Sequence, residues 1–159
     1  MVEKELITPW YITGFCDGEA SFTYSRTGTK GNLNIYFAIK LNNDDAKLLE
    51  EIKNFFGVGK IYPVKPIPPR RFSGHTRAAS YYRVSKIAEL EKIIAHFDKY
   101  PLRGRKLEIY NAWEKMVSLK KNFNVKIDLP RLRELAESLS GLSNKNTKLS
   151  MKKESLELV

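Results

Sequence analysis

Two carboxylates, Asp17 and Glu19, close the apolar stretch Trp10-Tyr11-Ile12-Thr13-Gly14-Phe15-Cys16. Thr8 is a good N-cap and Pro9 sits at the first helical position, where proline is tolerated. The stretch therefore reads as a short helix, apolar all round and expected to be buried on most of its surface. The acids then fall at its C-terminal end, where the helix dipole and the last free carbonyls are already negative. Carboxylates set against the local field ask for a cation, and carboxylate with backbone carbonyl oxygen is a hard donor set suited to Mg²⁺. Gly14 and Gly18 share one face and leave room for a second backbone to approach closely. The same pattern also fits a core helix that ends in a polar turn.

Composition narrows the chemistry. Lys and Arg number 28 against 18 Asp and Glu, a net charge of +10. That excess favours nucleic acid over a small acidic substrate, although a merely soluble basic surface has the same composition. No apolar run is long enough to span a membrane, and no basic segment followed by an apolar one opens the chain, so neither a membrane partner nor a secretory signal is expected. Cys16 is the single cysteine. It reads as a small core residue of an intracellular, reducing compartment, cytoplasmic or organellar. His75 and His96 are the only histidines, with no cysteine set beside them, which argues against zinc.

The elements that must position these groups follow from periodicity. Ser21 to Arg26 alternates, with Phe22 and Tyr24 facing one way and Thr23 and Ser25 the other. After a turn over Arg26–Gly31, Asn32 to Leu41 alternates more cleanly: Leu33, Ile35, Phe37, Ile39 and Leu41 oppose Asn32, Asn34, Tyr36, Ala38 and Lys40. This is a hairpin with one buried and one polar face. A helix opened by Asn43-Asp44-Asp45 carries Leu48, Leu49, Ile52, Phe55 and Phe56 and stops at Gly57. Strands at Lys60–Val64 and Ser80–Val84 flank a Pro- and Arg-rich loop, Lys65–Arg77. Helices follow from about Lys86 to Phe97 and Gly104 to Leu119. Asp128 caps one more, ended by Gly141, before a polar, basic tail from Ser143 to Lys153. The class is α+β, one domain, with residues 1–121 as the core and 122–159 as a C-terminal helix and basic tail.

The polar strand face carries side chains that can read base edges. Asn32 and Asn34 match adenine, Arg83 reaches guanine acceptors, Lys40 and Lys60 bring charge, and Thr23, Ser25, Tyr36, Tyr62 and Tyr81 bring hydroxyls. Lys30 in the turn and Arg70, Arg71 and Arg77 in the long loop suit phosphate. For any one of them a solvated surface is an equally good account.

The run Ile12-Thr13-Gly14-Phe15-Cys16-Asp17-Gly18-Glu19-Ala20, followed by Ser21-Phe22, resembles the signature of the LAGLIDADG homing endonucleases. Gly14, Phe15, Asp17, Gly18 and Glu19 fall in register; Thr13 replaces a small residue and Ala20 the final glycine. Over nearly the whole chain the resemblance implies an α-β-β-α-β-β-α fold. Its four-stranded antiparallel sheet has one face covered by helices and the other laid on double-stranded DNA, and extra C-terminal helices follow. It implies a homodimer in which Ile12, Gly14, Phe15 and Gly18 of two copies meet and bring two Glu19 together. By the same resemblance Glu19 and the carbonyl of Ala20 are metal ligands, for Mg²⁺, with Mn²⁺ or Ca²⁺ substituting in binding. Asp17 is a structural helix-end residue. Lys106, in the segment Pro101-Leu102-Arg103-Gly104-Arg105-Lys106, is a second catalytic residue, with Arg105 its rival. The activity implied is cleavage of both DNA strands at a long, nearly palindromic site, leaving short 3′ overhangs. Leu41 stands where a polar residue is frequent and Asp45 where some relatives have a basic one. A catalytically silent relative, binding DNA or RNA as a regulator or intron-splicing factor, is the alternative.

Overall fold

The computed structural model describes residues 5–28, 32–66, 77–122 and 129–156, with residues 144–156 as backbone alone. The elements are α1 (Pro9–Glu19), β1 (Ala20–Thr27), β2 (Asn32–Asn42), α2 (Ala46–Phe56), β3 (Lys60–Val64), β4 (Ala79–Val84), α3 (Ile87–Lys99), α4 (Lys106–Lys121) and α5 (Leu129–Leu156). A short 3-10 turn, Asn43–Asp45, leads into α2. The chain divides into two compact units, residues 1–104 and 105–159. Composition places the division after residue 121; it falls before α4 because α4 packs on α5. Tyr110, Trp113, Met116 and Val117 are buried on the one helix and Leu132, Ala136 and Leu139 on the other.

In the first unit the strands form one antiparallel sheet in the order β1-β2-β4-β3. The alternation of the sequence is the alternation of burial. Phe22, Leu33, Ile35, Phe37, Ile39, Tyr82 and Val84 are buried on the inner face, against Ile12 and Cys16 of α1, Leu49, Ile52 and Phe56 of α2, and Leu90, Ile93 and Phe97 of α3. Phe37 is the hub, with ring centroids 5.3 Å from Phe22, 5.9 Å from Phe56 and 6.2 Å from Tyr82. The Phe56 and Tyr82 contacts are edge-to-face, which adds to the area term.

Turn chemistry sets the connections. Gly57 ends α2 at φ +67° with its N–H on Lys53 O, a left-handed C-cap that glycine adopts without penalty. Gly59, at φ +80°, is needed twice over: a Cβ there would lie 2.7 Å from Tyr82 Cε2. At the other end of the chain Gly141 does not stop α5, which runs through it to Leu156. A glycine ends a helix only where it turns left-handed, and Gly141 has no positive φ.

α1 departs from the expected burial. Trp10 and Tyr11 are 54% and 47% exposed, whereas Ile12, Thr13 and Cys16 are buried. An apolar helix can turn only one face to its own sheet, so the rest of the apolar surface faces outward.

Candidate active site and nucleic-acid interface

The two acids of α1 have separate surroundings. The Asp17 carboxylate accepts from the backbone N–H of Arg103 at 3.1 Å and of Gly104 at 2.9 Å. A Cβ on Gly104 would sit 2.9 Å from Asp17 Oδ1, so a glycine there lets the backbone come this close. Asp17 is thus committed to holding residues 103–104. Glu19, the last residue of the helix, is exposed, and among the described residues nothing hydrogen-bonds to it or pairs with it. No basic residue lies in the last turn of α1 to offset it.

Glu19 opens onto a depression of about 360 Å³ lined also by Phe15, Lys40, Leu41, Asn42, Asp45 and Ala79. The strand register explains this company, because β1 begins at Ala20, opposite Ile39 near the end of β2. Lys40, expected from the sequence as a DNA contact, and Asn42 both lie at this end of the sheet. Among the described residues no group of three or more His, Cys, Asp or Glu side chains is gathered that could hold a metal. The donors present are a free carboxylate and helix-terminal carbonyls, which are hard oxygen ligands. They fit part of a divalent-cation shell and leave the rest to other molecules. The side chain of Ala20 is buried, in line with the inner face.

Lys106 is the first residue of α4 and is half-buried, while Arg105 before it is exposed. A cation at a helix N-terminus faces the positive end of the dipole. Lys106 and Glu19 are therefore both charges placed where their own helix disfavours them.

The face of α1 left open carries Tyr11, Gly14, Phe15 and Gly18, the spacing i, i+3, i+4, i+7 of one helical stripe. A Cβ at Gly14 or Gly18 would meet nothing within 4 Å, so the chain's own packing does not require glycine at either position. Tyr11 and Phe15 stack along this stripe with centroids 6.1 Å apart. Ile12, expected among the contacts between chains, is instead 0% exposed inside its own core, because it points a third of a turn away. Tyr11 takes its place on the open stripe; the helical spacing back from Gly14 was the signal for it. Thr13 also points inward. Its hydroxyl donates to Tyr100 O at 2.8 Å and lies 3.0 Å from His96 Nε2. The one hydroxyl proton is spent on the carbonyl, so Nε2–H must be the donor in the second bond. Burial holds the imidazole neutral, its pKa lowered to about 4.

The outward sheet face brings the sequence-predicted readers together. Cross-strand pairs are Ser25 with Asn34, Thr23 with Tyr36, Lys40 with Tyr81, Tyr62 with Tyr81 and Lys60 with Arg83. Asn32 pairs with Thr27 at the far end. Arg77 is exposed just before β4. Lys30, Arg70 and Arg71, and His75 with them, lie outside the described residues. No Asp or Glu stands on the strands of this face, so its described charge is wholly positive, as a phosphate-lined surface requires.

Comparison with known proteins adds an independent line. The model of the LAGLIDADG endonuclease family matches residues 12–117. The chain is 33% identical over 144 residues to a probable intron-encoded endonuclease 2 of Neurospora crassa, covering 86% of this chain and 29% of that protein. It is 32% identical to the LAGLIDADG meganuclease I-AabMI, solved bound to uncleaved DNA, with a TM-score of 0.67 over 82% of this chain and 44% of that one. The homing endonuclease I-TnaI matches at 22% identity and a TM-score of 0.68, over 89% of this chain and 99% of that one; at that identity the likeness is one of fold. The chain spans between 20% and 40% of the length of the curated relatives it matches.

Proposed function

The chain belongs to the LAGLIDADG homing endonuclease family, and from that membership we propose that it is a site-specific endonuclease. It binds double-stranded DNA on the outward sheet face and, as a homodimer, hydrolyses one phosphodiester bond in each strand of a long, nearly palindromic site. The observation that carries this reading is half of a site beside an open helix face. Glu19 has no partner among the described residues, and it ends the helix whose glycine stripe leaves room for a Cβ at Gly14 and at Gly18. One copy offers one such carboxylate; two copies joined symmetrically along α1 offer one for each strand.

Glu19 and the main-chain carbonyl of Ala20 would hold a divalent cation, Mg²⁺ in this reading, with Mn²⁺ or Ca²⁺ able to support binding. Such an ion, when bound, supplies an activated water and neutralises charge at the phosphate. Lys106 supplies fixed positive charge for the transition state. Asp17 holds the backbone of Arg103 and Gly104. Cuts staggered across the minor groove leave short 3′ overhangs, and a single buried cysteine, Cys16, suits a reducing compartment.

A library of candidate sites in supercoiled plasmids tests this, with and without Mg²⁺. Wild type should linearise a small subset only when the metal is present, and Glu19→Gln should bind the same subset without cutting it. Undiminished cutting by Glu19→Gln removes Glu19 from the site. The silent, splicing-type relative is favoured by one observation, the apolar wall that Leu41 and Ala79 give the Glu19 depression. It becomes the better reading if wild type binds DNA or intron RNA and cuts nothing.

A further inference from the structure

At the middle of the outward sheet face the Arg83 guanidinium lies over the Tyr36 ring, its Cζ 3.7 Å from the centroid. The register makes this possible. Arg83 pairs with Ala38, and Tyr36 is two residues further along β2 on the same face. Ala38 is too small to stand between them. It is nevertheless only 2% exposed, because its large neighbours cover it. Tyr81, two residues before Arg83 on β4, hydrogen-bonds the Tyr36 side chain; burial, and then this bond, push its own pKa up to about 12. Lys60 stands directly across from Arg83 on β3. Like charges opposite each other destabilise a sheet, and no carboxylate among the described residues pairs with either.

We propose that Arg83 is the residue that reads a guanine in each half of the DNA target, and that Tyr36 and Tyr81 are positioning residues that hold its guanidinium ready. The proposal rests on the reading of this face as the DNA-binding surface. Stacking on a ring leaves the in-plane N–H donors free, and the fork they form matches the O6 and N7 acceptors of guanine. A fork already held in place loses less conformational freedom on binding. Topology separates the roles of the two cations. In the order β1-β2-β4-β3, Arg83 is on a central strand and Lys60 on an edge strand. A central strand of a sheet in the major groove faces its floor, where base edges are; an edge strand faces its walls, where phosphates are.

The test is selection from a duplex library with randomised half-sites, followed by competition binding without Mg²⁺ on the selected duplex and its single-base variants. Wild type should select guanine at one position per half-site. Arg83→Ala should equalise the four bases there, a loss of roughly 5- to 150-fold in discrimination, while every other selected position keeps its preference. Lys60→Ala should weaken all sequences alike and reduce the salt slope by about one. Tyr36→Leu should relax the same position as Arg83→Ala, and Tyr36→Phe, which keeps the ring, should restore it. The retained positions report that each variant is folded. Uniform weakening by Arg83→Ala, no relaxed position, or a relaxed base other than guanine overturns the assignment. Equal behaviour of Tyr36→Leu and Tyr36→Phe removes Tyr36 as a positioning residue. If wild type selects no sequence at all, the reading of the sheet as a DNA surface fails instead.

Discussion

Asp17 and Glu19 are separated by one residue, yet only one is free for chemistry. Asp17 accepts two backbone N–H groups, so Asp17→Ala should cost about 1–3 kcal/mol and speed amide exchange at Arg103 and Gly104, without replacing any metal ligand. An unchanged exchange rate at those two amides would deny Asp17 its anchoring role. Lys106→Met should slow cleavage by roughly two to three powers of ten with little loss of binding, if its charge serves the transition state. The same substitution at Arg105 is the comparison, and a defect confined to Arg105→Met moves the role to that residue. His96 gives a pH signature. Its pKa is about 4 in the fold against an ordinary 6.5, so between those values the unfolded chain binds a proton that the folded chain refuses. Stability from this source is complete above about pH 6.5 and is lost as pH falls toward 4, on the order of 3 kcal/mol in all. Denaturation profiles across that window should flatten in His96→Gln, which keeps a donor for Thr13; a profile as steep as wild type would show that other groups set the slope.

At the scale of elements, α1 has two obligations on two faces. Its inner face, Ile12, Thr13 and Cys16, belongs to the sheet core, and its outer stripe is the face proposed above to meet a second copy. Gly14→Leu separates them. A Cβ at this position meets nothing within 4 Å, and replacing a mid-helix glycine favours the helix by up to about 1 kcal/mol. The thermal midpoint should therefore hold or rise. In a close symmetric pair the same leucine occurs twice, at about 1–3 kcal/mol of overpacking each, so association and cutting should be lost together. A midpoint that falls would mean that Gly14 serves the chain's own fold. Gly59→Ala is the contrasting case: with positive φ and side chains at 2.7 Å, it should destabilise the folded unit directly.

For the whole molecule, assembly and charge are the measurable properties. Sedimentation should show a wild-type dimer, at the latest on its DNA target, and a chain that cuts both strands of one duplex as a monomer would overturn the two-copy account. The net charge of +10 and an outward sheet face without acids imply DNA affinity that falls steeply as salt rises. Insensitivity to salt would place the basic residues away from phosphate.

The sequence by itself determined the strand faces and the order of elements, because each rests on local rules. Two-residue alternation assigns Phe37 inward and Tyr36 outward whatever the strands pair with, and a cap, a glycine or a charge at a helix end keeps its meaning in isolation. Strand order, and with it the central place of Arg83 and the edge place of Lys60, came only from tertiary structure, since two hairpins can be laid side by side in more than one order. The same is true of α1. Helical spacing back from Gly14 pointed to Tyr11, but an apolar helix does not say which apolar side meets its own sheet, so the burial of Ile12 was decided by packing. The family resemblance already divided the two acids, but what Asp17 holds came only from tertiary structure, because the amides that occupy it belong to residues 103 and 104, far along the chain.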